Sequence, residues 1–481
     1  MQTNVISVGR LVAAHARVWG LLAGALLAGC PSEAAPDAGA SLDAPGLDAQ
    51  LSLPLDATGP DAQAADAPGL DAPGPSDDAF VPAGGTCAPL GPPTGTVVNV
   101  DPSMAAALPA MVRDAAAGTT FVLADGTYRM GGDEASRRIR IRAPNVTIRS
   151  ASGDASRVVI DGEYTTLETI TVEASDATIA EITITHAVDH CVHVYGNDGG
   201  PTLTGFVMHR ARILDCGEQF LKVNPSGARD AFVDAGTVTC SHFEMTDEGR
   251  PHVERAVGGC YTGGIDAHSA WGWRVAENRF VGIYCAGEGL AEHAIHFWVG
   301  SRDTVVERNV IVDCARGIGF GLVESGPSRS YPDDPYPGLF VGHYDGVIRN
   351  NVIVADMPFY DTGIELDQAR GALVLHNTIV ETERATGRFS SIDTRFANSL
   401  TTVRNNLVRR LTVRDGASVA DHNVENVPLD YFADAAGGDV HLTAAASEAL
   451  DRGAVEAQSG LDLDGEPHDR GTAPDIGADE R

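Results

Sequence analysis

Five segments of this 481-residue chain carry an asparagine at the same place in a short β-rich run: RVAENRFVG (274–282), VVERNVIVDC (305–314), VIRNNVIVAD (347–356), LVLHNTIVET (373–382) and TVRNNLVRRL (402–411). The asparagines are Asn278, Asn309, Asn351, Asn377 and Asn406, at intervals of 31, 42, 26 and 29 residues. A period of that size with variable insertions is the signature of a solenoid. Within the runs β-branched residues alternate and helical periodicity is absent, so the repeating unit is built of strands. An amide that recurs at one corner can satisfy backbone groups there and stack on its copies above and below.

These repeats resemble the right-handed parallel β-helix of pectin-lyase-like proteins. The resemblance implies an all-β solenoid over residues 86–440 with an N-terminal capping helix and long loop insertions. TTFVLADGTY (119–128) is similar to the entry strand of such proteins, and PSMAAALPAMVRDAAAG before it reads as the capping helix. Pro109 is expected to kink or shorten that helix. DLDGEPHDRGTAPDIGADE (462–480) is similar to a tail common on bacterial β-helix proteins, so 441–481 is expected to pack on the solenoid. DLDG also resembles half of a calcium loop, without the remaining ligand positions.

The first 30 residues read as an export signal: Arg10 and Arg17 precede VWGLLAGALLAG, an apolar run too short to span a bilayer. It ends in Leu27-Ala28-Gly29-Cys30, which resembles the lipobox of bacterial lipoproteins. That resemblance implies lipidation of Cys30 and a place in the cell envelope, with Pro31 pointing to the outer membrane. Residues 31–85 hold ten Asp/Glu, no Lys or Arg, and DAPGLDA twice. Such a segment cannot bury enough apolar surface to offset its ordering entropy and reads as a solvated, disordered tether. The formal charge of −32 makes nucleic acid a poor partner. A monomer is expected. Seven cysteines follow Cys30, most of them 20 to 29 residues apart, so neighbours could bridge successive turns; no CxxC spacing suggests zinc.

A second strand is expected after each asparagine, aligned on one inward apolar residue: Val192, Leu221, Ile265, Ile295, Ile318, Ile364, Ile392. Period-2 alternation then turns a first row outward, His193, Lys222, Asp266, His296, Gly319, Glu365, Asp393. A second row reads Tyr195, Asn224, His268, Trp298, Gly321, Asp367, Arg395, and a third Asp189, Glu218, Thr262, Glu292, Ala315, Asp361, Phe389. Lys222 is the only lysine in the chain. The rows read as a polysaccharide groove. His193, Tyr195, Asn224, Trp298 and Arg395 would contact substrate, and Gly319 and Gly321 would form a bare floor beside an exposed Trp298. The insertion 321–346, with Tyr331, Tyr336 and Tyr344, is long enough to wall it.

Three functions fit such a groove. β-Elimination on a uronic acid needs a neutralised carboxylate, a base for the C5 proton and an acid for the leaving oxygen. The resemblance to β-helix polysaccharide lyases implies a Lys base, an Arg and a calcium ion. Lys222 matches the base, with His268 and His296 nearby; Asp266, Glu292 and Asn224 are the expected calcium ligands, and Arg255 and Arg316 the nearby arginines. An inverting glycoside hydrolase of the polygalacturonase type would instead use Glu365 and Asp367. A non-catalytic glycan-binding or adhesin-like lipoprotein would use the same aromatic and imidazole stripe for binding alone.

Overall fold

The computed structural model describes residues 87–481, apart from 132–136, 258, 288, 325–326 and 436. The signal segment with Cys30 and the linker 31–85 lie outside the described residues, as does the side chain of Arg255.

Four of the five asparagine runs fold as two strands around a corner, and in the fifth Leu400–Arg404 is followed by isolated bridges at Leu407. Arg274–Ala276 leads into Arg279–Val281, and Val305–Glu307 into Val310–Val312. A third strand completes each coil, as in His293–Trp298. Stacked coil on coil, these strands form a first sheet of 14 strands, a second of nine and a third of ten. Pairing between coils is parallel in all three, for instance Val275↔Val306, Phe280↔Ile311 and Ile295↔Ile318. Parallel strands joined this way form the expected β-helix, for which the right-handed crossover is the favoured one.

The corner between the first and second sheets explains the recurring amide. The residue before each asparagine is left-handed: φ is 61° at Glu277, 51° at Arg308, 55° at Asn350, 52° at His376 and 60° at Asn405. That conformation costs a non-glycine residue roughly 1–2 kcal/mol. The asparagine that follows offsets the cost with several hydrogen bonds. Asn309 Oδ1 accepts from both the backbone N and Nδ2 of Asn278, each at 3.0 Å. Asn351 does the same for Asn309, Asn377 for Asn351, and Asn406 for Asn377. Each Nδ2 also donates to a strand carbonyl, such as Val275 O from Asn309 at 2.9 Å. The ladder runs beyond the five asparagines: Ser241 N donates to Asn278 Oδ1, and Asn406 N to Asn423 Oδ1.

Inside, the inward residues stack in register from Val192 to Ile392 and are buried. The capping helix runs Leu108–Arg113 with Leu108 and Val112 buried. Pro109 falls in its first turn, where no backbone donor is needed, so it starts the helix and does not kink it. The tail lies along the asparagine corner. Asn350 Nδ2 donates to Ser459 O (2.6 Å), Asn405 Nδ2 to Ala454 O (2.8 Å), and His468 pairs with Asn350 Oδ1 (2.9 Å). Asp462 of the DLDG stretch accepts backbone N–H groups from Asp464, Glu466 and Glu480, so its carboxylate closes a turn.

Three disulfides form: Cys87–Cys240, Cys191–Cys216 and Cys260–Cys285. Cys314 is free and buried, and burial pushes its thiol up to about 12. The Asn351→Ala chain should lose about 2–4 kcal/mol in denaturant unfolding, because Asn309 N and Nδ2 lose their acceptor inside the protein. Asn423→Ala, at the end of the ladder, should lose less than half of that.

Candidate functional site

The third sheet carries the expected rows in the expected register. His193 pairs Lys222, Lys222 pairs Asp266, Asp266 pairs His296, His296 pairs Gly319, Gly319 pairs Glu365 and Glu365 pairs Asp393. Tyr195 lies beside Asn224, His268 beside Trp298, and Gly321, Asp367 and Arg395 follow one another. Toward the N-terminus the first row continues through Thr171 to Arg140.

The rows are less open than the sequence suggested. Lys222 is 3% exposed, Asp266 4%, His296 2% and Trp298 5%. Trp298 is therefore not an exposed sugar platform; its Nε1 donates to Asp266 Oδ1 at 2.6 Å. Nor is Gly319 a bare floor. The His293 ring lies over it, with its atoms 2.8 to 2.9 Å from where a Cβ would stand. Gly321 has φ 77° and turns its carbonyl to His296 Nε2, which donates to it at 2.9 Å. The insertion tyrosines pack elsewhere. Tyr331 donates to the Gly300 carbonyl and meets Trp271 and Tyr344 edge-on, at the corner beyond His293–Trp298.

One row of functional residues escaped the alternation. Phe220 and Leu221 are consecutive and both belong to the core, as do Ala294 and Ile295. The ladder skips there, passing from Gln219↔Gly263 to Leu221↔Ile265 and from His293↔Arg316 to Ile295↔Ile318. Two successive inward residues reverse the parity upstream, so Gln219, His293 and Arg316 turn outward with the candidate site. The double apolar step FL and AI was the available signal.

The network has two halves. In the first, Lys222 Nζ donates to Asp266 Oδ2 (2.6 Å) and to Tyr261 Oη (3.4 Å), and lies 3.3 Å from His268 Nε2. His268 Nε2 is also 3.2 Å from Asp266 Oδ2. A chain of contacts continues from His268 to Asn224 (3.5 Å), to His193 (3.1 Å) and to Glu168 (2.5 Å). Burial raises the Asp266 carboxyl, but Lys222, His268 and His296 together outweigh it and hold the group well below the usual range. In the second half, Glu365 takes His293 Nε2 (3.0 Å), Arg316 (3.6 Å) and Arg395 (3.2 Å). Asp367 shares Arg395 at 3.2 Å. Burial opposes ionisation of Glu365, yet those three partners keep it below its ordinary value; Asp367 is pushed well above its ordinary value by burial and then by Glu365.

Asp266, Glu292 and Asn224 are a poor calcium set. Both oxygens of Asp266 already accept hydrogen bonds, Asn224 Oδ1 meets His193, and Glu292 pairs with Arg316 at 3.3 Å. A cation on Asp266 would have to displace the Lys222 ammonium.

No family model and no curated protein matches the sequence. Among solved structures, the chain is similar to pectate lyase Pel9A at 15% identity, covering 81% of this chain and 97% of that one, with a TM-score of 0.49. An alginate lyase from Paenibacillus sp. str. FPU-7 shares 13% identity over 62% of this chain and 99% of its own, with a TM-score of 0.37. The surface adhesin PfbA of Streptococcus pneumoniae shares 13% over 66% and 84%, with a TM-score of 0.35.

Burial, followed by Arg316 and His296, lowers the His293 imidazole to about 3, and burial lowers His343 to about 3 as well. Both are neutral in the fold, while in the unfolded chain they take up a proton below about pH 6.5. The unfolded state therefore binds more protons between those limits, and stability must fall as pH drops from 6.5 toward 3. Equilibrium unfolding at pH 7 and pH 5 should show this loss, and His293→Gln should make the slope shallower.

Proposed function

We propose that the protein is a carbohydrate-active β-helix protein, and that it acts as a polysaccharide lyase on uronic-acid-containing glycans along the outer face of the third sheet. The observation that carries this reading is the cluster of Lys222, Asp266, His268 and Tyr261, with an imidazole and a phenol each within 3.4 Å of the amine Nζ. These are the groups that elimination needs. Support for an acidic glycan comes from the neighbouring coils. The chain is strongly acidic as a whole, yet Arg140 stands on the same sheet and Arg142 directly after its strand, with 33% and 45% of their side chains exposed and Glu173 as their shared partner.

In this reading the roles divide according to the contacts. Lys222 sits 2.6 Å from an ionised Asp266, so its ammonium supplies positive charge to the substrate carboxylate and to the carbanion that forms beside it. The base role implied by the resemblance passes to His268, whose side chain is 11% exposed and reaches the half-buried edge formed by Tyr195 and Asn224. Tyr261 Oη, held near Nζ, is the donor to the leaving oxygen. Asp266 keeps Lys222 and His268 in place and touches no substrate.

The hydrolase alternative keeps one supporting observation. The environments of Glu365 and Asp367 push their ionisations apart, the pattern of a base paired with an acid. Against it, Arg395 bridges both carboxyl groups and Asp367 is 1% exposed, as in an internal ion-pair cluster.

Incubating the chain with alginate, pectate, glycosaminoglycans and neutral glycans separates the readings. Elimination gives new ultraviolet absorbance from the unsaturated uronate. Reducing ends without that absorbance indicate the hydrolase, and retention without cleavage indicates a binding protein. Lys222→Ala and His268→Ala should each lower elimination by about 100-fold or more. Lys222→Arg, which keeps the charge, should retain a measurable fraction of the rate. If Lys222→Arg is as inactive as Lys222→Ala, the lysine is the base after all.

A further inference from the structure

Asp189 and His190 stand at the entry to Val192–Tyr195, and Glu218 stands at the same place one coil later, just before Gln219–Asn224. The two coils are joined there by Glu218 N donating to Asp189 O at 3.1 Å. One ligand-capable atom from each of the three side chains lies within 4.8 Å of the other two.

Two atoms of these side chains are unusual. Asp189 Oδ1 and His190 Nδ1 are both buried and make no hydrogen bond. They are nevertheless only 3.2 Å apart. A carboxylate and an imidazole that close would ordinarily turn to bond each other, and an unsatisfied buried polar atom costs roughly 1–3 kcal/mol. Two atoms bound to one tetrahedral ion at zinc-like bond lengths would stand about 3.4 Å apart without facing each other. That is close to the separation observed.

The surroundings suit a metal ligand. His190 is 7% exposed. Glu168 and His193 form a second cluster that shares His190. Glu168 is itself held by Arg138 at 2.5 Å and by His193 at 2.5 Å, whereas Asp189 Oδ1 beside His190 accepts no hydrogen bond.

We propose that Asp189, His190 and Glu218 bind one divalent first-row transition ion, zinc being the probe of choice. One imidazole with two carboxylates suits such an ion. Calcium, which takes six to eight oxygens, gains little from the nitrogen. The site lies apart from Asp266, Glu292 and Asn224, where oxygen-only ligation was expected. It does not depend on the lyase reading, since its readout is metal affinity alone.

The test is calorimetric titration of zinc chloride, and separately calcium chloride, into the full chain stripped with chelator, together with the visible spectrum of the cobalt-loaded protein. One zinc equivalent should bind, more tightly than calcium, and cobalt should give the intense bands of a four-coordinate site. His190→Ala should weaken zinc by about 100-fold or more, beyond the usual effect of changing an outer-shell partner. Asp189→Asn, which keeps the shape, should weaken it by about 10-fold or more and serves if His190→Ala does not fold. Absence of a stoichiometric zinc site, zinc affinity unchanged in the variants that fold, or tighter binding of calcium than of zinc would each overturn the proposal.

Discussion

The amide ladder at the corner between the first and second sheets is the constraint on which the rest of the molecule depends. From Asn278 onward each coil places a left-handed residue before its asparagine, and each asparagine finds the backbone and side chain of the one before it. That fixes where the coils from Asn278 to Asn423 turn. Insertions of any length can then leave the coil without shifting the register. The 42-residue interval between Asn309 and Asn351 closes on the same 3.0 Å contacts as the 31-residue interval before it.

A locked corner also explains how a polar network can exist on the opposite sheet. Side chains separated by dozens of residues are brought to neighbouring positions about 4.8 Å apart, repeatedly and in the same orientation. Lys222 and Asp266 are 44 residues apart in the chain and 2.6 Å apart in space. His293 reaches Glu365 across two coils because the residue between them is Gly319, where any side chain would meet the imidazole. Burial of so many charges is costly unless each is paired, and here Lys222 meets Asp266 while Arg395 meets Glu365 and Asp367.

Much of this was legible in the sequence because a solenoid converts spacing directly into contact. The strand-built solenoid and the pairing of His193 with Lys222 or Gly321 with Asp367 follow from the asparagine period and one apolar alignment, while the capping helix was implied by the resemblance to pectin-lyase-like proteins. Three things did not follow. Strict alternation hid Gln219 and His293, because two adjacent core residues in each of their strands reverse the parity. Polarity was taken as a sign of exposure, whereas Trp298 and Asp266 are polar and outward yet covered by their neighbours. The run of five residues around each asparagine read as one strand, although the left-handed residue inside it is what turns the corner. A Glu, Arg or His in that position gives no sign of such a conformation.

Asn224 illustrates what repetition does to a single side chain. It stands between two imidazoles, His193 on one side and His268 on the other. A carboxamide has nearly the same shape after a half turn, but its ends exchange donor and acceptor. The orientation of this one group therefore sets the direction of the hydrogen bond at each ring: His193 Nε2 donates to its oxygen, and its nitrogen donates to His268 Nδ1. Replacing Asn224 by Asp would remove that choice, leaving two acceptors where one donor is needed. Neighbouring coils of the solenoid thus share a single sense of polarity, set by an amide that carries no charge.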